Sequence, residues 1–219
     1  MKGGPDSPWI DFTLYLITDR IQAMEHPLAY VVEEALKGGV RAVQLREKDL
    51  STKELYEVAQ ELRRVTARYG AKLLVNDRVD VALAVDADGV HIGGGSLPIY
   101  KVRRLIGEKR LIGVSCHNQA QAIGAQEMGA DFITFGPVFH TPSKAPYGAP
   151  VGLDRLRHIA ESLQIPVFGL GGISLANCAE TVACGVRGIA LISGIIAADD
   201  PREAAKGFLA QLPHLDHND

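Results

Sequence analysis

The chain has 219 residues, of which 23 are Lys or Arg and 26 are Asp or Glu, for a formal charge of −3 with histidine neutral. So mild an acidic balance argues against a nucleic-acid binder, and a 47% hydrophobic composition argues against disorder. Three cysteines without a CxxC pair give no disulfide framework or structural zinc site, and no run of 18 apolar residues marks a membrane span. The opening MKGGPDSPWIDF has neither an apolar secretion core nor an Arg-rich amphipathic stretch. A cytoplasmic chain with a single domain over 1–219 is expected, residues 1–12 being a short extension.

Eight short aliphatic runs then recur, at 14–18, 42–46, 73–76, 89–93, 111–115, 132–136, 167–171 and 188–193. They are short and rich in Val, Ile and Leu, as buried parallel strands require. Helical pieces lie between them. Residues 28–37 place Val31, Val32, Ala35 and Leu36 on one face. Residues 51–69 open with Ser51 and Glu54 at capping-box spacing, and Leu55, Val58, Ala59, Leu62 and Val65 follow at helical intervals. Further helices are predicted at 79–85, 118–128, 153–163, 175–183 and 201–212. Gly39, Gly70, Gly129 and Gly185 stand where a helix ends and the next strand begins. Eight such units predict an α/β chain folded as a (β/α)8 TIM barrel. A doubly wound dinucleotide fold would want GxGxxG after the first strand, where the chain has Asp19-Arg20-Ile21.

Barrel chemistry belongs at the C-terminal ends of the strands, and the unusual polar residues fall there. The second strand runs into Gln44-Leu45-Arg46-Glu47-Lys48, which puts Gln44, Arg46 and Lys48 on one side and Leu45 toward the helices. Two cations at a barrel mouth need a bound anion or internal pairs such as Arg46–Glu47 and Lys48–Asp49. After the third strand, Asn76-Asp77 either caps the next helix or offers oxygen to a Mg²⁺ carrying substrate phosphates. His91, before Gly93-Gly94-Gly95-Ser96, is either a satisfied core histidine or a ligand contact, and Ser115-Cys116-His117 is open to the same two readings. The three glycines could bring N–H groups to an oxyanion. Thr141, Ser143 and Lys144, in a loop held by Pro142, Pro146 and Pro150, have the chemistry of a phosphate or diphosphate clamp, or form a solvated loop. Gly172 after the seventh strand and Ile192-Ser193-Gly194 after the eighth match the phosphate corner common in barrels. Two anion sites are thus predicted. There is no Ser-His-Asp set, glutamate pair or HExxH motif, so the chemistry left is the joining or rearrangement of phosphorylated small molecules, with diphosphate a candidate leaving group.

The segments YLITDR (15–20), QLREK (44–48), LVNDRVDVALAVDADGVHIG (74–93), IGVS (112–115), DFITFGPVFHTPSKAPYG (131–148), GLGGI (169–173) and ALISGI (190–195) resemble the thiamine-phosphate synthase and TenI-like family. The resemblance implies a cytoplasmic, commonly dimeric barrel enzyme. Such an enzyme joins an aminopyrimidine methyl diphosphate to a thiazole phosphate, releasing diphosphate. It also implies roles. Gln44, Arg46 and Lys48, with Asn76 and Lys144, hold the pyrimidine diphosphate, and Asp77 binds Mg²⁺. Ser115 lies by the pyrimidine, while Thr141, Ser143, Gly172, Ile192 and Ser193 receive the thiazole phosphate. Arg46, Lys48 and Lys144 act on the charge of the leaving group. The chain departs from the family at two places. Ser96 stands where synthases carry a second metal aspartate, and Pro137 stands where the related thiazole tautomerases carry a catalytic histidine. A tautomerase, using His140 or His117 as proton shuttle, and a non-catalytic regulatory relative are therefore the alternatives.

Overall fold

The computed structural model describes residues 10–23, 26–141 and 149–214. Its strands are β1 (Leu14–Ile17), β2 (Ala42–Leu45), β3 (Lys72–Asn76), β4 (Gly89–Ile92), β5 (Leu111–Cys116), β6 (Phe132–Phe135), β7 (Val167–Leu170) and β8 (Gly188–Leu191). All pair in parallel and in chain order, and β1 also pairs with β8, so the sheet closes into the predicted (β/α)8 barrel. The described helices are α1 (Leu28–Lys37), α2 (Thr52–Arg68), α3 (Val79–Ala84), α4 (Ile99–Ile106), α5 (Gln119–Glu127), α6 (Gly152–Ser162), α7 (Cys178–Val182), α8 (Ser193–Ile196) and α9 (Pro201–Leu209). None of them is long and apolar enough to cross a membrane.

Strand alternation sorts the core into two layers. Leu14, Leu16, Val43 and Leu45 point outward and pack with Val31, Leu36, Leu55, Leu62 and other helix residues between barrel and helices. Tyr15, Ile17, Leu74, Phe132, Phe168 and Ala190 point inward, joined by Ile10 and Phe12 from the segment read as an extension. The Phe12 ring stacks on Phe168 at 5.2 Å and meets Phe132 edge-on at 5.8 Å. Gly113 makes this interior possible: a β-carbon there would run into both Phe132 and the His91 ring.

The predicted caps of α2 are present, Ser51 accepting from the Glu54 N–H while Glu54 accepts from Ser51. α4 is an addition to the sequence reading; it is short, follows Pro98 and has no side-chain cap. α7 starts later than predicted, because Ser174 N–H donates to Asn177 Oδ1 and turns residues 174–177 out of helix. On the face away from the strand ends that carry the polar residues, Asp88 and Asp131 play matching parts. Asp88 accepts from Leu73 N–H of β3 and pairs with Arg63 of α2; Asp131 accepts from Ile112 N–H of β5 and pairs with Arg103 of α4. Each ties a helix to the strand that follows it.

Phe132 is fully buried among four other rings, those of Phe12, Tyr15, His91 and Phe168. Phe132→Ala should lower unfolding free energy by about 3–5 kcal/mol, since surrounding rings cannot close the void. Urea denaturation measures it, and a loss under about 1 kcal/mol would contradict this packing.

Candidate active site

At the C-terminal end of β1 and β2 the chain builds a clamp that the sequence reading missed. Glu47 is 6% exposed and accepts from Thr18 Oγ1 at 2.6 Å, from Arg20 N–H at 3.1 Å and from the Arg20 guanidinium at 3.3 Å. Arg20 reaches on to Asp49 with two bonds of 2.7 and 2.6 Å. Those bonds hold the Asp49 carboxyl below the usual carboxylate range. Thr18 Oγ1 in turn accepts from Arg46 N–H at 2.9 Å. Both acidic residues offered by the sequence as partners for Arg46 and Lys48 are therefore taken by Arg20. Neither cationic side chain has a hydrogen bond or ion pair with a described residue. Arg46 is half-buried and Lys48 exposed, as bare positive charge at the mouth. Threonine and arginine in the run Thr18-Asp19-Arg20 were the available signal, unread because nothing local pairs them with Glu47.

Asn76 and Asp77 lie at the end of β3. They do not cap α3, whose cap residue is Arg78, with no side-chain bond to the helix N–H groups. Instead Asn76 Nδ2 donates to Asp77 Oδ2 at 2.8 Å, and Ser96 Oγ donates to Asp77 Oδ1. Ser96 Oγ accepts from Gly93 N–H at 2.8 Å, so the glycine turn after β4 delivers Ser96 to Asp77. Asp77 sits at φ 58°, a left-handed conformation that Asp tolerates better than most residues, held here by its neighbours. Among the described residues no group of three His, Cys, Asp or Glu side chains could hold a metal, and Asp77 is the lone acid of this corner.

Between these corners the barrel interior carries a polar chain. Gln44 Nε2 donates to Tyr15 Oη at 3.2 Å, Tyr15 Oη lies 3.4 Å from His91 Nδ1, and His91 Nε2 lies 3.0 Å from Ser115 Oγ. Thr134 Oγ1 is 3.4 Å from the same His91 nitrogen. Gln44 and His91 are 2% and 1% exposed, while Ser115 is half-exposed. Burial drives the His91 imidazole down to about 3, with Asp77 opposing the fall and Arg46 adding to it, so the ring is neutral at ordinary pH. Burial likewise pushes the Tyr15 phenol far up, against the bond from Gln44. Cys116 is pushed up to about 12 by burial alone, which leaves an inert thiol.

The third corner joins β6, β7 and β8. Thr141 Oγ1 is buried and has no hydrogen-bond partner among the described residues. Ser143 and Lys144 lie outside the described residues. Gly172, at φ 68°, comes so close to the β6 loop that a β-carbon would stand 2.7 Å from Phe139 Cβ and 2.9 Å from the His140 carbonyl. Ile192 and Ser193 open the short α8, whose first N–H groups, with that of Gly172, donate to no described residue. His117 Nδ1 is tied to the Gly136 carbonyl at 2.6 Å, and His140 is exposed. Gln44, Arg46, Lys48, Asn76, Asp77, Ser115, Thr141, Gly172, Ile192 and Ser193 thus all lie at or just beyond C-terminal strand ends of one parallel barrel.

The profile of the family described as thiamine monophosphate synthase matches residues 14–195, from β1 to the start of α8. The chain belongs to the thiamine monophosphate synthase and TenI family. It is 59% identical over 204 residues to a putative thiamine-phosphate synthase of Geobacter sulfurreducens, covering 93% of this chain and 96% of that one. It is 48% identical over 201 residues to the thiamine-phosphate synthase of Chloroflexus aurantiacus, covering 92% and 93%. The solved structure of a thiamine phosphate pyrophosphorylase from Pyrococcus furiosus superimposes with a TM-score of 0.85 at 41% identity, covering 93% of this chain and 96% of that one.

The neutral, buried His91 sets a pH dependence. An unfolded histidine titrates near 6.5 and the native one near 3, so between these values the unfolded state binds the additional proton. The native contribution is whole above pH 6.5 and is lost as pH falls, by at most about 1.4 kcal/mol per unit. Thermal melts between pH 8 and pH 4 should therefore show a steeper acid limb for the native chain than for His91→Gln. Equal slopes would contradict the neutral buried ring.

Proposed function

We propose that this chain is a thiamine-phosphate synthase. It joins 4-amino-2-methyl-5-(diphosphomethyl)pyrimidine to a thiazole phosphate and releases diphosphate. The observation that carries the reading is the pair of cations, Arg46 and Lys48, without a side-chain partner among the described residues, whose acidic neighbours Glu47 and Asp49 are bound by Arg20. Family membership and the synthase names of its relatives support it. Arg46 and Lys48, with Asn76 and with Lys144 from the sequence, bind the diphosphate. Gln44 and Ser115 orient the pyrimidine. Gly172, Thr141, Ser143, Ile192 and Ser193 hold the thiazole phosphate, so that its ring nitrogen faces the pyrimidine methylene carbon. The carbon–oxygen bond to diphosphate breaks, and the nitrogen lone pair forms the new carbon–nitrogen bond. No general base is needed, because that nitrogen carries no proton to remove. The cations are matched to the negative charge that grows on the departing diphosphate.

Mg²⁺ fits the acidic corner. Asp77 supplies one hard oxygen ligand and Ser96 a hydroxyl beside it, and this ion takes one or two carboxylates and completes its shell with substrate phosphates and water. When bound, it adds positive charge against the diphosphate oxygens. The three free, buried cysteines suit a reducing, cytoplasmic compartment, and exposed Leu97, Tyr100 and Leu105 on and before α4 suit a homodimer.

Purified protein given both substrates and Mg²⁺ should form thiamine phosphate and diphosphate. EDTA should abolish turnover, and Asp77→Ala should impair it severely. Ser96→Asp should retain activity and reach half-maximal turnover at lower Mg²⁺. Chelator-resistant isomerisation of a thiazole carboxylate phosphate, with no coupling product, would replace this reading by a tautomerase; neither activity would leave a regulatory role.

The Arg46 side chain has no hydrogen bond or ion pair among the described residues, so Arg46→Ala should lower kcat/KM about 100-fold, or about 3 kcal/mol, and leave the melting temperature in place. Lys144→Ala should behave alike. Steady-state kinetics beside a thermal melt checks both, and unchanged turnover would remove them from the diphosphate clamp.

A further inference from the structure

Tyr15 and His91 belong to none of the anion corners, yet they join Gln44 on β2 to Ser115 on β5 through the dry interior. The direction of each bond follows from counting protons. Tyr15 is completely buried, and among the described residues its hydroxyl bonds with two polar groups, the Gln44 amide and His91 Nδ1. The Gln44 amide nitrogen already donates to it. Among the described residues the phenolic hydrogen then has one acceptor in reach, the Nδ1 lone pair; with a hydrogen on Nδ1 it would be buried with none, which folded proteins avoid. A neutral ring with a bare Nδ1 carries its hydrogen on Nε2, and that hydrogen lies 3.0 Å from Ser115 Oγ. Thr134 Oγ1, 3.5 Å away, donates to the same serine oxygen. Ser115 thus accepts from inside and keeps its own hydrogen for the mouth.

We propose that Tyr15 and His91 are positioning residues: a one-way chain, Gln44 N–H to Tyr15 O–H to His91 Nδ1 and His91 Nε2–H to Ser115, presents Ser115 to the mouth as a donor and the Gln44 carbonyl as an acceptor. This polarity is the complement of a ring nitrogen beside an exocyclic amino group, the edge of an aminopyrimidine. It is also switchable as a unit. If the group at position 44 accepted from Tyr15 instead, every bond would reverse, and Ser115 would turn its hydrogen inward to Nε2. The recognition of substrate rests on the proposed function; the direction of the chain does not.

The test is ¹⁵N NMR of the full-length protein with labelled histidine, His91 being assigned by the signal missing in His91→Gln. The native chain should show His91 as the neutral Nε2–H tautomer, and an Nδ1–H tautomer would overturn the proposal. Gln44→Glu places an acceptor-only group on Tyr15 and should convert His91 to Nδ1–H; an unchanged tautomer there would overturn the coupling. Tyr15→Phe keeps the ring in the aromatic cluster and removes the link, so Gln44→Glu added to it should no longer switch the tautomer. A switch that persists would equally overturn the role of Tyr15. In the coupling assay Tyr15→Phe should raise KM for the pyrimidine substrate about tenfold with a smaller change in kcat. If the tautomers behave as stated and KM does not move, the chain stands and the assignment of Gln44 and Ser115 to the pyrimidine falls.

Discussion

Arg20 binding both Glu47 and Asp49 is the contact on which the mouth of this barrel depends. Four charged residues follow one another from Arg46 to Asp49, and left alone they would neutralise in neighbouring pairs. The guanidinium of Arg20 reaches across from the end of β1, takes both carboxylates with geometry suited to a bidentate donor, and leaves the two cations without a side-chain partner among the described residues. The hydroxyl of Thr18 completes the arrangement by linking Glu47 to the backbone of Arg46. The positive character of the site thus comes less from an excess of basic residues, in a chain of charge −3, than from removal of the acids beside them.

The interior makes a similar use of accounting for polar groups. A dry barrel lined by Phe12, Phe132 and Phe168 would penalise any unmatched hydrogen-bonding group, and five strands nonetheless send polar side chains into it. They are tolerated because they satisfy each other in a line from Gln44 to Ser115. Gly113 gives up its side chain so that His91 and Phe132 can share one level of the barrel.

The barrel was readable in the sequence because strand and helix periods alternate eight times and the strand alternation of β2 survives to Leu45. The resemblance carried the family, and residue chemistry at strand ends marked Gln44, Arg46, Asp77 and Ser115. What escaped was contact between distant segments. Arg20 and Glu47 are 27 residues apart and Tyr15 and His91 are 76 apart, and no local pattern pairs them. Ser96 could be read as a missing carboxylate, but its hydroxyl bond to Asp77 depends on how the glycine turn folds back. α4 escaped for another reason: without a capping side chain or length, it has little intrinsic signal.

The close approach of Gly172 to the root of the β6 loop has a consequence for how the two halves of the site respond to their surroundings. At that point backbone rests against Phe139 and the His140 carbonyl, so the spacing between Thr141 and the amides beyond β7 is set by steric contact. The opposite half, built from Arg20, Glu47, Asp49 and the cations, is held by charge and feels screening. Raising ionic strength should therefore loosen one wall of the mouth while the other keeps its shape. The corner beyond β7 thus keeps a fixed shape beside a wall whose geometry depends on its ionic surroundings.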